Sequence, residues 1–410
     1  MSTKRNLFKL KGNVQHYQWG GMDFIPDLLN IGNQERKPFA EYWLGAHNNF
    51  PSMMEEAPVT LLNEFIDKDP SVLGEQVKNE YGKLPYLLKV LDVKDMLSIQ
   101  VHPSKKAAVT EFEKENQAGI PLSAPQRNYK DDNHKPELML ALSDFWLLHG
   151  FKPEVDLKNT LSSIPEFAFM LPIFEEGSYK KLYETLMKLP QEEVNRILGP
   201  LLERIVPLYE AGKLKKNDPG FWAARASLTF NQPGIIDRGI FSIYIFNLVF
   251  LHKDQAIFQD AGILHAYLEG QNMEIMANSD NVLRGGLTPK HIDVEELIKH
   301  VSFQPTHPHV ILGTYISPFE EIYRSPAPDF QLSKLHITHD KQFSIVSQTA
   351  SLFFVLNGSV ALRENREKEI HLNKGDAAIS FAGTRVNLHA TADTVAFLAS
   401  VPAAESEEVV

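Results

Sequence analysis

The spacing of hydrophobic residues changes along the chain and predicts regions of different secondary structure. Up to residue 151, apolar residues alternate with polar ones or form short runs such as Leu84–Val93, and both patterns are typical of β-strands. From 152 to 228 they recur at helical spacing. Strand patterning resumes in Gly239–Gly270 and continues as short strands over 305–402. The pattern therefore predicts a mainly β protein with an α-helical insert.

These regions predict how the chain divides into domains. With 410 residues it is too long to bury a single core, so we expect more than one. We assign residues 1–151 and 229–304 to an N-terminal β-barrel, and residues 152–228 to a helical subdomain that covers the site. We assign residues 305–402 to a C-terminal barrel and expect the acidic tail, 403–410, to be disordered.

Composition and charge exclude several classes of function. No apolar run is long enough to span a membrane, and the absence of cysteine rules out disulfides and thiolate chemistry. The N-terminal sequence MSTKRNLFKLKGN lacks an apolar signal core, so we expect a cytoplasmic protein. The net charge of −11 argues against binding of nucleic acid. An anionic substrate would therefore need a local cluster of basic residues.

The stretch His265–Asp293 combines strand patterning with many ionisable residues. In NMEIMA, the alternation places Asn272, Glu274 and Met276 on one face of a strand. The chain then becomes irregular and contains Asp280, Arg284 and Lys290 around two glycines, before a capping box at Asp293 opens the helix VEELIKHV. Because these charges are interleaved with strand residues and glycines, we interpret the stretch as a functional site rather than a solvated face.

Other strands contain polar residues with positions that suggest a role. Lys89 interrupts an apolar strand, so it either lies at a sheet edge or is directed at an anion. Gln100 and His102 are two residues apart and share a strand face, as do Lys135 and Glu137. The aromatic side chains in VQHYQWGG and FAEYWLGAHNNFPS are assigned to the core. They are Trp19, Tyr42 and Trp43.

The segment DQAIFQDAGILH resembles the second sequence motif of the cupin barrels, which ends in a metal-binding histidine. Gly262 and His265 keep their places, whereas Asp254 and Asp260 replace a glycine and a proline. The first motif would supply further ligands, because side chains that point into a small barrel converge from distant strands. The predicted metal ligands are Gln100, His102, Glu137 and His265.

Two imidazoles, a carboxylate and an amide oxygen suit Zn²⁺ and also Mn²⁺, Co²⁺ or Fe²⁺. The C-terminal strands repeat the motif in HLNKGDAAISFAGTRVNLHA, with Gly375 and Gly383 at the glycine positions. Phe381 stands at the proline position and Val386 at the histidine position. We therefore expect one metal per chain, held by the N-terminal barrel, and no metal ligands in the C-terminal barrel.

Over residues 13–293 the chain resembles the type I phosphomannose isomerases of the cupin superfamily. The resemblance rests on YQWGG, AEYWLGAH, LPYLLKVL, LSIQVHPSK, NYKDDNHKPEL, HAYLEG and MEIMANSDNVLRGGLTPK. It implies two cupin-type jelly-roll barrels and a zinc-dependent isomerase. It also implies that mannose 6-phosphate and fructose 6-phosphate interconvert through an enediol, which supplies mannose metabolism and GDP-mannose synthesis.

The resemblance also implies roles for individual residues. The family's metal ligands fall on the four residues given above, and its active-site arginine falls on Arg284. We predict catalytic roles for Arg284, Lys135, Glu274 and Asp280, and substrate binding by Lys89, Lys290 and Tyr267. HPSKK stands where the family has HPNK, and Gln18 lies in a YxWG element that more often has alanine. These departures bear on substrate preference.

Two other classes of function remain open at this point. A mixed His/Glu metal site also occurs in cupin oxygenases, which need Fe²⁺ and an apolar pocket. A cupin could also bind a sugar without catalysis, or act on another sugar phosphate. We expect a sugar phosphate as the small-molecule partner, no nucleic acid or membrane partner, and a monomer.

Overall fold

A computed structural model describes residues 5–55, 58–364 and 369–403. Residues 404–410 of the predicted tail lie outside this part. The first strands are β1 (Leu7–Lys11), β2 (Asn13–Gln15), β3 (Glu41–Gly45), β4 (Met53–Met54), β5 (Thr60–Leu61), β6 (Tyr86–Val93), β7 (Ile99–Val101), β8 (Glu137–Ala141) and β9 (Phe145–Phe151). They are followed by β10 (Phe246–Leu251), β11 (Gln255–Gln259), β12 (His265–Ala277) and β13 (Leu283–Gly286).

The C-terminal strands are β14 (Ile311–Leu312), β15 (Thr314–Ser317), β16 (Glu320–Tyr323), β17 (Gln331–Ile337), β18 (Gln342–Val346), β19 (Ser351–Asn357), β20 (Ser359–Glu364), β21 (Ile370–Asn373), β22 (Ala377–Ser380), β23 (Arg385–Ala390) and β24 (Thr394–Ser400). The helices are α1 (Phe24–Leu28), α2 (Leu62–Lys68), α3 (Glu75–Glu80), α4 (Lys105–Gln117), α5 (Glu154–Ser163), α6 (Met170–Lys188), α7 (Gln191–Glu210), α8 (Pro219–Phe230), α9 (Gly239–Ile245) and α10 (Val294–His300). The protein is thus mainly β, as predicted. Among the described residues, no helix is both long and apolar enough to cross a membrane.

Three antiparallel sheets contain these strands. An 11-stranded sheet includes β12 at its centre, where this strand pairs with β6, β7, β8 and β9. A nine-stranded and a four-stranded sheet contain most of the C-terminal strands. A 13-residue strand that pairs with four neighbours can bring side chains from distant parts of the sequence to one place.

The strands cross the predicted domain boundaries. β1 pairs with β22, with Leu7 opposite Ser380, so the first strand of the chain belongs to the C-terminal sheet. In the other direction, β14 pairs with β11. The domain boundaries near residues 152, 229 and 305 therefore remain a prediction. Strand pairing does not follow them everywhere, because β1 and β14 each pair with a strand that was assigned to the other barrel.

The predicted helical stripes of α6 and α7 are buried, and their core is continuous with the neighbouring sheet. Tyr183, Leu198 and Trp222 of the helices share one apolar cluster with Val101 and Leu148 of the strands. α6 is interrupted at Ser178, which has a φ of 58°. Because helices and strands share this cluster, the insert is packed onto the sheet and is not a separate lid.

The predicted strand at Gly239–Gly270 is wrong over its first seven residues, which form α9. All seven are buried, so the helix has no polar face and its apolar run resembles a buried strand in sequence. The Asp237 side chain accepts a hydrogen bond from the Gly239 backbone N–H at 2.7 Å, and further bonds from Leu287 and Thr288. This aspartate therefore connects the start of α9 to the end of β13.

Tyr86 joins the 11-stranded sheet to the C-terminal part of the chain. Its buried hydroxyl lies 3.0 Å from the carbonyl oxygens of Ala350 and Ala399. We predict that Tyr86→Phe leaves buried carbonyls without this donor and lowers the free energy of unfolding by about 1–3 kcal/mol. Urea denaturation measures the loss. Tyr315→Phe, on an exposed side chain, is the control, and equal stability of the two variants would contradict the prediction.

Candidate metal centre and adjoining cavity

The pairing of short strands places five predicted site residues close together. Gln100 of β7 lies directly opposite His265 of β12 on one side and Arg284 of β13 on the other. Directly opposed residues project from the same side of a sheet. His102 follows β7 immediately, and Glu137 begins β8. The antiparallel register therefore brings together residues that are up to 184 positions apart in the sequence.

Glu137 is the centre of this group. Its two carboxylate oxygens lie 3.3 Å from Nε2 of His102 and 3.4 Å from Nε2 of His265. All three side chains are buried, and their candidate ligand atoms lie within 4.8 Å of one another. Among the described residues, no other group of three or more histidine or acidic side chains is close enough to share a metal ion.

The hydrogen bonds of both imidazoles show that this group suits a cation. Nδ1 of His102 donates to the carbonyl of Asn281 at 2.8 Å, and Nδ1 of His265 donates to that of Ile263 at 2.9 Å. Each ring therefore directs the lone pair of Nε2 at the carboxylate of Glu137. Nε2 of His102 is buried and has no hydrogen-bond partner in the described part of the chain. A divalent cation between these atoms would remove the electrostatic repulsion between the Nε2 lone pairs and the Glu137 carboxylate.

Burial lowers the pKa of His102 to about 4, so its imidazole is neutral near pH 7, as a metal ligand must be. Burial alone would raise the pKa of Glu137, but its neighbours, above all the Lys135 ammonium, outweigh that effect and hold it well below its usual value. The Lys135 ammonium lies 3.2 Å from Oε1 of Glu137. The site thus contains one carboxylate, two imidazoles, of which that of His102 is neutral, and one adjacent lysine.

Two cavities that share several lining residues adjoin this group. The outer cavity has a volume of about 740 Å³ and borders Lys89, Gln100, Lys135, Asp280, Arg284 and Lys290. The inner one is about 50 Å³ and borders Glu137, His265, Tyr267 and Glu274, together with Gln100, Lys89 and Lys135. Every predicted site residue therefore lines one of the cavities except His102, which contacts Glu137.

Lys89 lies at the floor of the cavity and not at a sheet edge, since β6 is paired on both sides. Its ammonium lies 3.4 Å from Glu41, 3.6 Å from Glu274 and 4.6 Å from the centre of the Trp43 ring. Burial lowers the pKa of Lys89, but the carboxylates around it outweigh this and raise the pKa. The lysine therefore remains a cation.

Glu274 and Tyr267 form the innermost part of the site. The Tyr267 hydroxyl donates to Oε1 of Glu274 at 2.7 Å. Burial and the nearby charge of Glu137 raise the pKa of Glu274 to about 7. A carboxyl group with a pKa near neutrality can accept and return a proton at physiological pH.

Arg284 and Lys290 are the cations with the fewest competing contacts. In the structure as described, the guanidinium of Arg284 has no hydrogen bond or ion pair, and neither has the ammonium of Lys290. Burial lowers the pKa of both groups, and for Lys290 the charge of Arg284 adds to the effect. Two neighbouring cations without protein partners suit an anionic ligand.

The sequence interpretation missed several residues of the cavity. Glu41 contacts Lys89, and His47 contacts Asp280 at 3.1 Å. Trp19, which was assigned to the core, is only half-buried and lines the outer cavity; Tyr42 and Trp43 are buried as predicted, although Trp43 also borders the cavity. In EYWLG, Glu41 and Trp43 are two residues apart and share a strand face, which could have indicated that both line the site. The surrounding aromatic residues instead favoured the interpretation as a core strand.

The helices of the insert reach the cavity at the end of α8, which runs two residues past the predicted boundary at 228. Thr229 and Phe230 of α8 form part of the wall. Arg225 of the same helix pairs with Glu269 of β12 and contacts Asp95 at 3.5 Å. These ion pairs hold the end of α8 against the sheet, so the predicted covering role is limited to one wall.

Comparison with known proteins identifies the family. The family model of the type I phosphomannose isomerase catalytic domain matches residues 7–154. Mannose-6-phosphate isomerase of Salmonella typhimurium is 36% identical over 378 residues, which is 90% of this chain and 93% of that protein. The Escherichia coli enzyme is 35% identical with the same coverage. A crystal structure of the Salmonella typhimurium enzyme bound to its substrate fructose 6-phosphate and to zinc matches with a TM-score of 0.86 and 34% identity, covering 97% of this chain and 100% of that one.

The fold and the site define a mainly β protein with a candidate metal centre beside a cavity lined by cations that have no partner in the part of the chain that the structure describes. The sequence identity of the matches and the share of both chains that they cover identify the family. The chain belongs to the mannose-6-phosphate isomerase family, type I.

Proposed function

We propose that this chain is a metal-dependent aldose–ketose isomerase that interconverts mannose 6-phosphate and fructose 6-phosphate. One observation supports this most directly. Glu137 and His265 of the metal group line the inner cavity. The adjoining outer cavity is lined by Arg284 and Lys290, two cations without protein partners among the described residues. An oxygenase would need an apolar pocket, which these cations disfavour.

We assign the metal to His102, Glu137, His265 and the amide oxygen of Gln100, with zinc as the proposed ion. When bound, such an ion acts as a Lewis acid on the two oxygens of the reacting carbons. Gln100 borders both cavities and lies opposite His265, so its side chain can reach the same point. Other divalent metals with the same ligand preference remain compatible with this set.

Isomerisation moves a proton between C1 and C2 through an enediol. Three of the predicted catalytic residues are candidates for proton transfer. Of these, Lys135 alone borders both cavities; Glu274 lines the inner one and Asp280 the outer one. We therefore assign proton transfer to Lys135, beside Glu137. Glu274, with a pKa of about 7 and a hydrogen bond from Tyr267, supplies a second proton-accepting group at the inner end.

Arg284 and Lys290 bind and orient the anionic substrate. Arginine stays protonated and is a poor base, so we assign Arg284 to charge stabilisation above the metal ligands. Lys290 at the exposed rim suits the phosphate, whose binding energy can hold the sugar in register. Lys89 has two carboxylate partners, which makes it less suited to a dianion; we assign it to the sugar end.

We also propose that the sheets form two cupin-type jelly-roll barrels, N-terminal and C-terminal, with the insert between them in sequence. The convergence of side chains from β7, β8 and β12 on one point is what the interior of a barrel produces. A separate apolar cluster, which includes Val386, fills the space between C-terminal strands. The domain division, the monomeric state and the cytoplasmic location stay predictions from the sequence.

The function is tested with the purified protein and mannose 6-phosphate as substrate. We expect fructose 6-phosphate to form, activity to disappear after EDTA treatment, and added Zn²⁺ to restore it. Circular dichroism before and after EDTA provides the control for unfolding. Absence of conversion by zinc-loaded, folded protein would contradict the proposal.

For Gln100→Ala we expect zinc affinity to fall about tenfold or more, because one ligand is lost. Elemental analysis after dialysis at limiting zinc measures the change. Gln271→Ala is the matched control, since Gln271 lies on β12 but bonds to Asp92 at 2.7 Å. Unchanged zinc content in Gln100→Ala would remove this residue from the ligand set.

For Arg284→Ala with full zinc occupancy, we expect kcat/KM to fall about a hundredfold or more, as for other groups that stabilise developing negative charge. Steady-state kinetics in both directions measures the loss. Arg385→Ala, on the exposed side of β23, is the control. Turnover of Arg284→Ala within a few-fold of the unaltered protein would exclude a catalytic role for this residue.

A further inference from the structure

His47 is a buried histidine at the edge of the outer cavity, and the sequence interpretation assigned it no role. Only 5% of its side chain is exposed, and it contacts both carboxylate oxygens of Asp280, at 3.1 and 3.2 Å. Asp280 itself lines the cavity and is 38% exposed. The histidine therefore lies behind the carboxylate, and the carboxylate lies between it and the cavity.

The proton position on His47 follows from its second contact. The backbone N–H of Asn49 donates to Nδ1 of His47 at 3.2 Å, so Nδ1 accepts and carries no proton. In the neutral ring the proton is then on Nε2, which donates it to Asp280. The histidine can thus bind the carboxylate without itself becoming charged.

The backbone of the Asp280 loop is held independently of His47. The Asp131 carboxylate accepts hydrogen bonds from the Asp280 N–H at 2.7 Å, from the Ser279 hydroxyl at 2.7 Å and from the Asn281 side chain at 3.2 Å. Asp131 therefore fixes the main chain of this loop, whereas His47 contacts only the Asp280 carboxylate. A change at His47 is expected to alter the orientation of that carboxylate without releasing the loop.

Aromatic neighbours fix the ring plane of His47. Its centre lies 4.9 Å from that of Trp43 in an edge-to-face arrangement and 6.1 Å from that of Phe50 in a stacked one. Because the ring is packed on two sides, the direction of its Nε2–H bond is fixed before a ligand enters the cavity. Such pre-orientation is what a hydrogen-bond acceptor for a substrate hydroxyl requires.

We infer that His47 is a positioning residue for the isomerase reaction: it holds the Asp280 carboxylate toward the cavity as a hydrogen-bond acceptor for a sugar hydroxyl. The inference rests on the proposed function, because Asp280 lines the outer cavity in which that function places the sugar phosphate. His47 does not touch the substrate in this arrangement and acts only through Asp280.

Two substitutions separate the hydrogen bond from the aromatic packing. His47→Phe keeps a ring between Trp43 and Phe50 but removes the donor, whereas His47→Gln loses the ring and keeps an N–H near the position of Nε2. We expect kcat of His47→Phe to fall about tenfold to a hundredfold with KM changed less than about threefold. We expect His47→Gln to retain kcat within about threefold of the unaltered protein, since the donor is preserved.

The measurements are steady-state kinetics with mannose 6-phosphate, zinc content and melting temperature for each zinc-loaded variant. His252→Phe is the matched control, because His252 also contacts a carboxylate, Asp144 at 3.4 Å, and packs on Phe250, but is exposed and borders neither cavity. It should behave as the unaltered protein.

Asp280→Asn distinguishes failure of the inference from failure of the assignment of Asp280. If Asp280→Asn loses turnover while His47→Phe retains it, the positioning role of His47 is overturned, whereas the role of Asp280 at the substrate remains. A loss of kcat in His47→Gln equal to that in His47→Phe would also overturn it, because the N–H donor that His47→Gln keeps would then not preserve turnover. If Asp280→Asn retains full turnover, the role of Asp280 and this inference fail together, although the isomerase activity itself stands.

Discussion

The buried carboxylate of Glu137 is the group on which the site depends. It meets two imidazole nitrogens at 3.3 and 3.4 Å and the Lys135 ammonium at 3.2 Å. A buried anion is costly unless positive charge compensates it, and here both imidazoles direct their protons away to backbone carbonyls. Neither ring therefore donates a hydrogen bond to this carboxylate, and the three side chains are placed so that they could hold a metal ion. The nearby lysine supplies one positive charge, and a divalent cation would supply the rest.

Charge is distributed unevenly along the cavity above this centre. At its floor, Lys89 is shared by the carboxylates Glu41 and Glu274, so the charges there largely compensate one another. Toward the rim, Arg284 and Lys290 lack such partners among the described residues. In a chain with a net charge of −11, this local excess of positive charge can attract an anion only at one end of the cavity. A sugar phosphate has the matching asymmetry, with a neutral polyol at one end and a dianion at the other.

The strand framework explains how the residues at the two ends of the cavity keep fixed positions relative to each other. β12 carries His265, Tyr267 and Glu274 on one continuous strand. Of the strands paired with it, β6 carries Lys89, β7 carries Gln100 and β8 carries Glu137. The helices of the insert share an apolar cluster with this sheet, and β1 extends into the C-terminal sheet. In that C-terminal part, Val386 lies in an apolar cluster, which shows how a related strand pattern can be filled with hydrophobic side chains.

Local patterns in the sequence were sufficient to predict the β-rich fold, the helices of the insert, the capping of α10 by Asp293 and the shared face of Lys135 and Glu137, because each depends on neighbouring residues. The predicted metal ligands were inferred from a motif, and the structure brings His102, Glu137 and His265 together. The helix at Gly239–Ile245 was missed because a segment buried on all sides has no alternation to reveal its period. Tertiary structure alone decided that Lys89 is paired at the cavity floor, that β1 joins the C-terminal sheet and that His47 lies behind Asp280. These are contacts between distant strands and loops, and their register is set by the packing of the whole molecule.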